Sequence, residues 1–211
     1  MKSIKGQGQA NCPNGCEPFD AEFWTLIRGD QDTELKAALL GGELNLLRCP
    51  ECETFFYHDR NFIYFDPSIE LLALVSPKAD KKDFDKIKTQ MQKDFKLLKD
   101  NMTSLSIDYD PFYLAGLEEL KAMLEYEEHI TQESEVIAAY AAEKGYKIAA
   151  LKRYGARLKG YPFYIPVDGG DYNAASVLSA AREILKINPS WHLLTALEKD
   201  LKAGKPLPEK I

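Results

Sequence analysis

The chain holds four cysteines, and all four fall in two near-copies of one short motif, Cys12-Pro-Asn-Gly-Cys16 and Cys49-Pro-Glu-Cys52. None is spent as a core filler or left over, so the economical reading is a single site. Two loops that each offer two thiolates, separated by two or three residues, can place four soft ligands at the corners of a tetrahedron. Pro13 and Pro50, directly after the first cysteine of each motif, fix φ and stiffen the turn. Asn14-Gly15 supplies residues that tolerate positive φ in the longer loop. The extra residue is therefore a geometric variant of the same knuckle. A ligand set filled by Cys12, Cys16, Cys49 and Cys52 leaves no open position for water or substrate, so the expected cofactor is a structural Zn2+ ion.

Other chemistries fit parts of the pattern. Iron takes the same four thiolates at the same spacing. Two disulfides would need an oxidising compartment, whereas cysteines gathered in two close couples point to metal in a reducing one. A thioredoxin-like role would want Cys-x-x-Cys at a strand-to-helix junction, but the second motif runs into the β-prone "ETFFYH".

Composition limits the function classes. The 211 residues are 45% apolar and 28% charged, which predicts an ordinary globular protein with room for a real core. The polar start "MKSIKGQGQAN" has no apolar run behind its lysines, and no stretch reaches the roughly 18 apolar residues of a membrane span. A cytoplasmic address and no membrane partner are expected. A net charge of −6 and a pI of about 5.2 argue against a molecule that coats nucleic acid or anionic lipid with its whole surface.

A β-rich unit is expected around the cysteines. "EPFDAEFWTLI" alternates as a strand, "DQDTELKAALLGG" reads as one short helix stopped by Gly41-Gly42, and "ELNLLRC", "TFFYH", "NFIYFDP" and "IELLALVSP" are β-prone runs separated by turn residues. In this order of motif, strand, helix, second motif and strands, residues 10 to 78 resemble the bacterial and archaeal CpXC domain, named for its paired Cys-Pro-x-Cys motifs. The resemblance implies metal binding by Cys12, Cys16, Cys49 and Cys52 and carries no activity with it. Two departures stand out: the first motif is Cys-Pro-x-x-Cys, and Glu53 occupies a place where zinc ribbons commonly have glycine.

Beyond Pro77 the pattern turns helical. "KADKKDFDKIKTQMQKDFKLLKDN" sets Phe84, Ile87, Met91, Phe95 and Leu98 on one stripe, a face that lies on something apolar. Asp110 and Pro111 are expected to start a helix through Leu114, Leu117, Leu120 and Leu124, with a break near Thr131 and an end at Gly145. Two further helices are expected in "DYNAASVLSAAREILKINP" and "SWHLLTALEKDLKAGKP", packed as a hairpin.

Residues 144 to 167 carry Lys144, Lys147, Lys152, Arg153, Arg157 and Lys159 with no acid, interleaved with Tyr146, Tyr154, Tyr161, Phe163 and Tyr164. The functional reading is an anion- or nucleic-acid-binding face at Lys147, Lys152, Arg153, Arg157 and Lys159. The bland reading puts the lysines on the solvated face of a helix and the rings in the core. Catalytic signals are thin: His58 reads as a hydrogen-bonded structural residue in preference to a ligand or acid-base group, His129 and His192 belong to no metal or nucleophile motif, and Asp168-Gly-Gly-Asp171 reads as a plain connector in preference to a turn that binds a small anion.

The sequence thus predicts an α+β protein, with a zinc-ribbon-like antiparallel β domain at 1–78 and a mainly helical domain at 79–211. The expected function is an interaction or adaptor module with an unidentified protein partner. Nucleic-acid binding through 144–167 and an enzyme of unknown class are the alternatives.

Overall fold

The structure, a computed structural model, describes residues 2–58, 60–77, 84–101 and 107–211. They form two compact units, Met1–Ala122 and Met123–Ile211. The expected boundary between residues 78 and 79 lies outside the described residues, as does Asp59.

The first unit is built on β6 (Leu71–Ser76), all six of whose residues are buried. An unbroken apolar run is what a strand covered on both faces requires. Leu72 and Leu74 pack with Phe65 and Met91 on one face, joined by half-buried Phe84, Ile87, Phe95 and Tyr113. Leu71, Ala73 and Val75 alternate to the other face and are fully buried. Helix α2 (Phe84–Asn101) thus lays its expected stripe on the sheet, although the Leu98 side chain lies outside the described residues.

The sheet has five strands in the order β1 (Ile4–Ala10), β2 (Phe19–Arg28), β5 (Phe62–Asp66), β6, β7 (Phe112–Ala115). It is mixed, which corrects the expected antiparallel unit. β1 with β2 and β5 with β6 are antiparallel, whereas β2 with β5 and β6 with β7 are parallel. The physical reason lies in the connections. Parallel neighbours need a long crossover, and here α1 (Thr33–Leu40) intervenes between β2 and β5 and α2 between β6 and β7. A separate antiparallel hairpin, β3 (Leu46–Arg48) and β4 (Phe55–Tyr57), forms its own two-stranded sheet.

Asp110 and Pro111 do not begin a helix. Phe112–Ala115 pairs instead with Ala73–Ser76, and α3 starts at Leu117, with Glu119 Oε2 accepting the Ala115 N–H at 2.8 Å. Helix α3 (Leu117–Glu143) then runs without the expected break. The Thr131 hydroxyl donates to the Glu127 carbonyl at 2.9 Å, a local bond that leaves the helix intact. Its end matches the expectation: Gly145 has φ +78°, and the Tyr146 N–H reaches back to the Ala141 carbonyl at 2.9 Å.

In the second unit, residues 144–167 are not one more helix. They fold as β8 (Lys147–Ala150), α4 (Arg153–Lys159) and β9 (Tyr164–Val167), with β8 and β9 antiparallel. Helices α5 (Ala174–Ile187) and α6 (His192–Lys202) follow as expected. The core gathers Tyr161, Phe163, Ile165, Val177, Ile184 and Leu194.

Candidate metal centre

The first knuckle is the turn between β1 and β2, closed below by the pair Ala10 and Phe19. The Gly15 N–H donates to the Cys12 carbonyl at 3.0 Å, and Gly15 takes φ +78°, so the longer loop uses the left-handed residue its sequence offered. The second knuckle is the turn between β3 and β4. Its Cys49 N–H donates to the Thr54 carbonyl and its Glu53 N–H to the Cys49 carbonyl, each at 3.0 Å. Glu53 has φ +61°, which explains why glycine would suit that position.

These two turns bring all four thiols together. The sulfurs of Cys12, Cys16, Cys49 and Cys52 lie within 4.8 Å of one another, with Cys12 and Cys52 at 3.5 Å. Four thiolates around a zinc ion at about 2.3 Å would be about 3.8 Å apart, so the cluster is of the right size and the right donor chemistry for a tetrahedral ion. Cys12 and Cys49 are buried, Cys16 is half-buried and Cys52 is exposed. All four are free cysteines that converge on one point, which is not the arrangement of two separate disulfides. The second motif also sits in a hairpin turn, and not at the strand-to-helix junction a thioredoxin-like thiol pair needs.

The thiols are not equivalent. Burial is the main cause that raises Cys12, and its hydrogen bond to Cys52 adds to it. Hydrogen bonding to Cys52 pushes Cys16 up, and burial adds to it. Cys52 is pulled down to about 6, first by the Thr54 hydroxyl, then by the Thr54 backbone N–H, with the Asn14 amide contributing. Donors therefore favour the thiolate at the exposed corner of the cluster.

Asn45, which belongs to no motif in the sequence, is a positioning residue. With φ +55°, it leads into β3 and turns its side chain onto Trp24 of β2. Its Oδ1 accepts the Trp24 N–H at 2.7 Å, its Nδ2 donates to the Trp24 carbonyl at 3.0 Å, and its own carbonyl accepts the His58 N–H at 3.0 Å. One amide thus fastens the knuckle hairpin to the main sheet. His58 is buried with its ring centroid 4.1 Å from that of Phe23, a packing role outside the thiol cluster.

One face of the hairpin is apolar and open. Register pairs Leu46 with Tyr57 and Arg48 with Phe55, so these four side chains share a face. Phe55 is 64% exposed, and Tyr57 and Leu46 are exposed with it. On the opposite face Phe56 meets Phe19 edge-on at 6.1 Å.

The basic stretch is largely engaged within its own unit. Arg157 is buried and donates to Glu127 at 2.6 Å; Arg153 donates to the same carboxylate at 2.9 Å and lies 4.5 Å from the Phe163 ring centre. Lys152 pairs with Glu209 at 3.1 Å, and Lys159 stands 5.8 Å from the ring centre of Tyr161. Lys147, at the start of β8, is exposed. The structure therefore does not bring Lys147, Lys152, Arg153, Arg157 and Lys159 together as one open basic face. The acid that answers the arginines comes from α3, outside the acid-free stretch. Tyr161 and Phe163 are buried, as the bland reading expected.

The remaining candidates are local structure. His129 is exposed and 3.7 Å from Glu133, whose Oε1 accepts the Leu193 N–H at the start of α6. His192 is exposed at the first position of α6. Beyond the Asp168–Asp171 turn, α5 is capped by its own Asn173, which accepts the Ser176 N–H at 2.9 Å. A cavity of about 350 Å³ opens between α2 and β7, lined by Lys88, Gln92, Phe95, Asp110, Pro111 and Tyr113, and not by His58. Among the described residues, no helix is long and apolar enough to cross a membrane.

The family model described as CpXC protein matches residues 10–136, more than half of the chain and well beyond the strands of the knuckle region. No curated protein and no solved structure gives a significant match.

Proposed function

The chain belongs to the CpXC protein family, and on that premise we propose that it is a cytoplasmic protein-interaction module in which Cys12, Cys16, Cys49 and Cys52 hold a structural zinc ion. The observation that supports the metal is the convergence of four thiols from two turns, with no other donor type in the cluster among the described residues. Four thiolates fill a tetrahedral zinc completely, so the ion supplies a cross-link between the β1–β2 turn and the β3–β4 hairpin and no Lewis acid for chemistry. Free thiols at this density suit a reducing compartment.

The interaction role is supported by what the cross-link holds in place. Leu46, Phe55 and Tyr57 form an exposed apolar face on a hairpin too short to persist unaided. A partner protein would gain its contact area from those two rings and that leucine, with Arg48 and Glu53, paired at 2.7 Å, at the edge.

Metal analysis of protein purified under reducing conditions tests the first part. One zinc per chain and thiols that react only after chelation are expected. Folded protein with no metal and four reactive thiols would overturn the zinc assignment, and an absorbing red protein would replace zinc by iron. Affinity capture with Phe55→Ser and Tyr57→Ser tests the second part: a specific partner lost with both variants is expected, and capture that ignores them would end the hairpin reading.

A further inference from the structure

The first knuckle touches the second with more than its sulfurs. Asn14, the side chain in the loop that is one residue longer, reaches across the cluster. Its Nδ2 donates to Thr54 Oγ1 at 2.9 Å and to Cys52 Sγ at 3.5 Å. One amide nitrogen carries two hydrogens, so both bonds can form at once. Among the four thiols, Cys52 is the exposed one, and it belongs to the opposite loop.

We propose that Asn14 is a positioning residue for metal retention: its amide, braced on Thr54, holds the exposed Cys52 sulfur in the ligand set and so slows release of the ion. The proposal rests on the zinc reading above. A competing chelator can approach a closed tetrahedral site only where a ligand faces solvent, and Cys12 and Cys49 are buried. Release therefore begins by swinging the Cys52 sulfur outward. That motion must break the N–H···S bond from Asn14, which a neutral amide makes to a thiolate without adding charge to the site. The next residue, Gly15, takes φ +78° and closes the turn by donating its N–H to the Cys12 carbonyl at 3.0 Å, with nothing within 4 Å of where a Cβ would stand. The extra residue of the first motif thereby becomes a clasp on the second.

The test uses the full chain loaded with zinc, in wild-type form and as Asn14→Ala, Asn14→Asp and Gly15→Ala. Zinc per chain is measured first, then the rate of transfer to a chromogenic chelator, then the thiolate-to-metal charge-transfer bands of the cobalt(II)-substituted forms. Partners beyond the ligands commonly change metal affinity about 10- to 100-fold. Release from Asn14→Ala should be faster by a factor in that range. Asn14→Asp, of the same shape but with a carboxylate facing a thiolate, should be faster again. Both should shift the cobalt charge-transfer bands. Gly15→Ala strains the same loop without removing the bond, so it should leave the bands where they are. Asn14 variants that bind one zinc, release it at the wild-type rate and keep the wild-type cobalt spectrum overturn the proposal. Wild-type protein that takes up no metal overturns the zinc reading and this proposal with it. Should Asn14→Ala fail to fold, the isosteric Asn14→Asp carries the comparison.

Discussion

Two glycines separate two kinds of necessity at the level of single residues. Gly29, after β2, lies against a fully buried ring: a Cβ there would stand 2.0 Å from the Tyr64 hydroxyl oxygen and 2.9 Å from Asp66 Oδ2. Neither neighbour can yield into solvent. Gly29→Ala should therefore lower stability by about 1–3 kcal/mol, the usual result of overpacking a filled core, read as a shift of the urea midpoint. Gly15 has open space and a positive φ, so Gly15→Ala should show backbone strain alone, about 1–2 kcal/mol. The same substitution with repacking of Tyr64 in one case and none in the other should be distinguishable by the Tyr64 ring signals in NMR. Asn45→Ala removes two hydrogen bonds to the Trp24 peptide groups and leaves those groups without their side-chain partner. A loss of about 1–3 kcal/mol, with the β3–β4 amides exchanging first, is expected.

At the level of elements, what the sequence showed and what it hid follow from which forces are local. The strand Phe19–Arg28, the helix Thr33–Leu40 and the hairpin of α5 and α6 announce themselves by alternation, period and stop residues. Strand β1 does not, because Gly- and Gln-rich "IKGQGQA" owes its conformation to pairing with β2. Asp110-Pro111 is sound helix-start chemistry, yet the free edge of β6 recruits Phe112–Ala115 instead; tertiary pairing outweighs the cap. In the basic stretch the sequence offered cations without acids, and only the fold supplies Glu127. That carboxylate is buried with Arg157, so Glu127→Ala should cost about 3–5 kcal/mol by leaving a desolvated guanidinium behind, whereas Glu127→Leu combined with Arg153→Met and Arg157→Met should fall close to wild type in chemical denaturation. A second link, between Tyr161 and α6, sets a pH window. The Tyr161 hydroxyl donates to Asp200 Oδ2 at 2.6 Å and, with Lys205, holds that carboxyl below its ordinary 3.8. A lowered carboxyl stabilises the fold fully above its ordinary value and loses the contribution as pH falls through the lowered one. Burial and the Asp200 bond raise Tyr161 above its ordinary 10, so its contribution is complete below pH 10 and fades as pH rises through the raised value. Melting temperature against pH should fall on both sides of this window, and Tyr161→Phe should flatten both limbs.

The molecule as a whole divides its stability between covalent-like and packed parts, and that division yields the most decisive prediction. All four cysteines belong to the unit Met1–Ala122, and within it they join two short turns. β3 and β4 have three residues each, and Leu46, Phe55 and Tyr57 on one face are exposed, so the hairpin buries too little to persist alone. Beyond the thiol cluster, its fastenings include the Asn45 staple on Trp24, the Asn14 hydrogen bond to Thr54, the Tyr57 hydroxyl bond to the Gly42 carbonyl, and the contacts of Phe56 with Phe19 and His58 with Phe23. β5 and β6, by contrast, are held by apolar packing on both faces of β6. Stripping the metal with a chelator under reducing conditions should therefore remove hydrogen-exchange protection from residues 12–16 and 45–58 while leaving 62–76 protected, and readdition of zinc should restore it. Peptides from 174–202, in the unit without cysteines, should not change. If chelation deprotects β5 and β6 as well, the ion supports the sheet itself and not only the hairpin. If it deprotects nothing, packing and Asn45 hold the hairpin without it, and the exposed face of Leu46, Phe55 and Tyr57 is presented to a partner whether or not metal is bound.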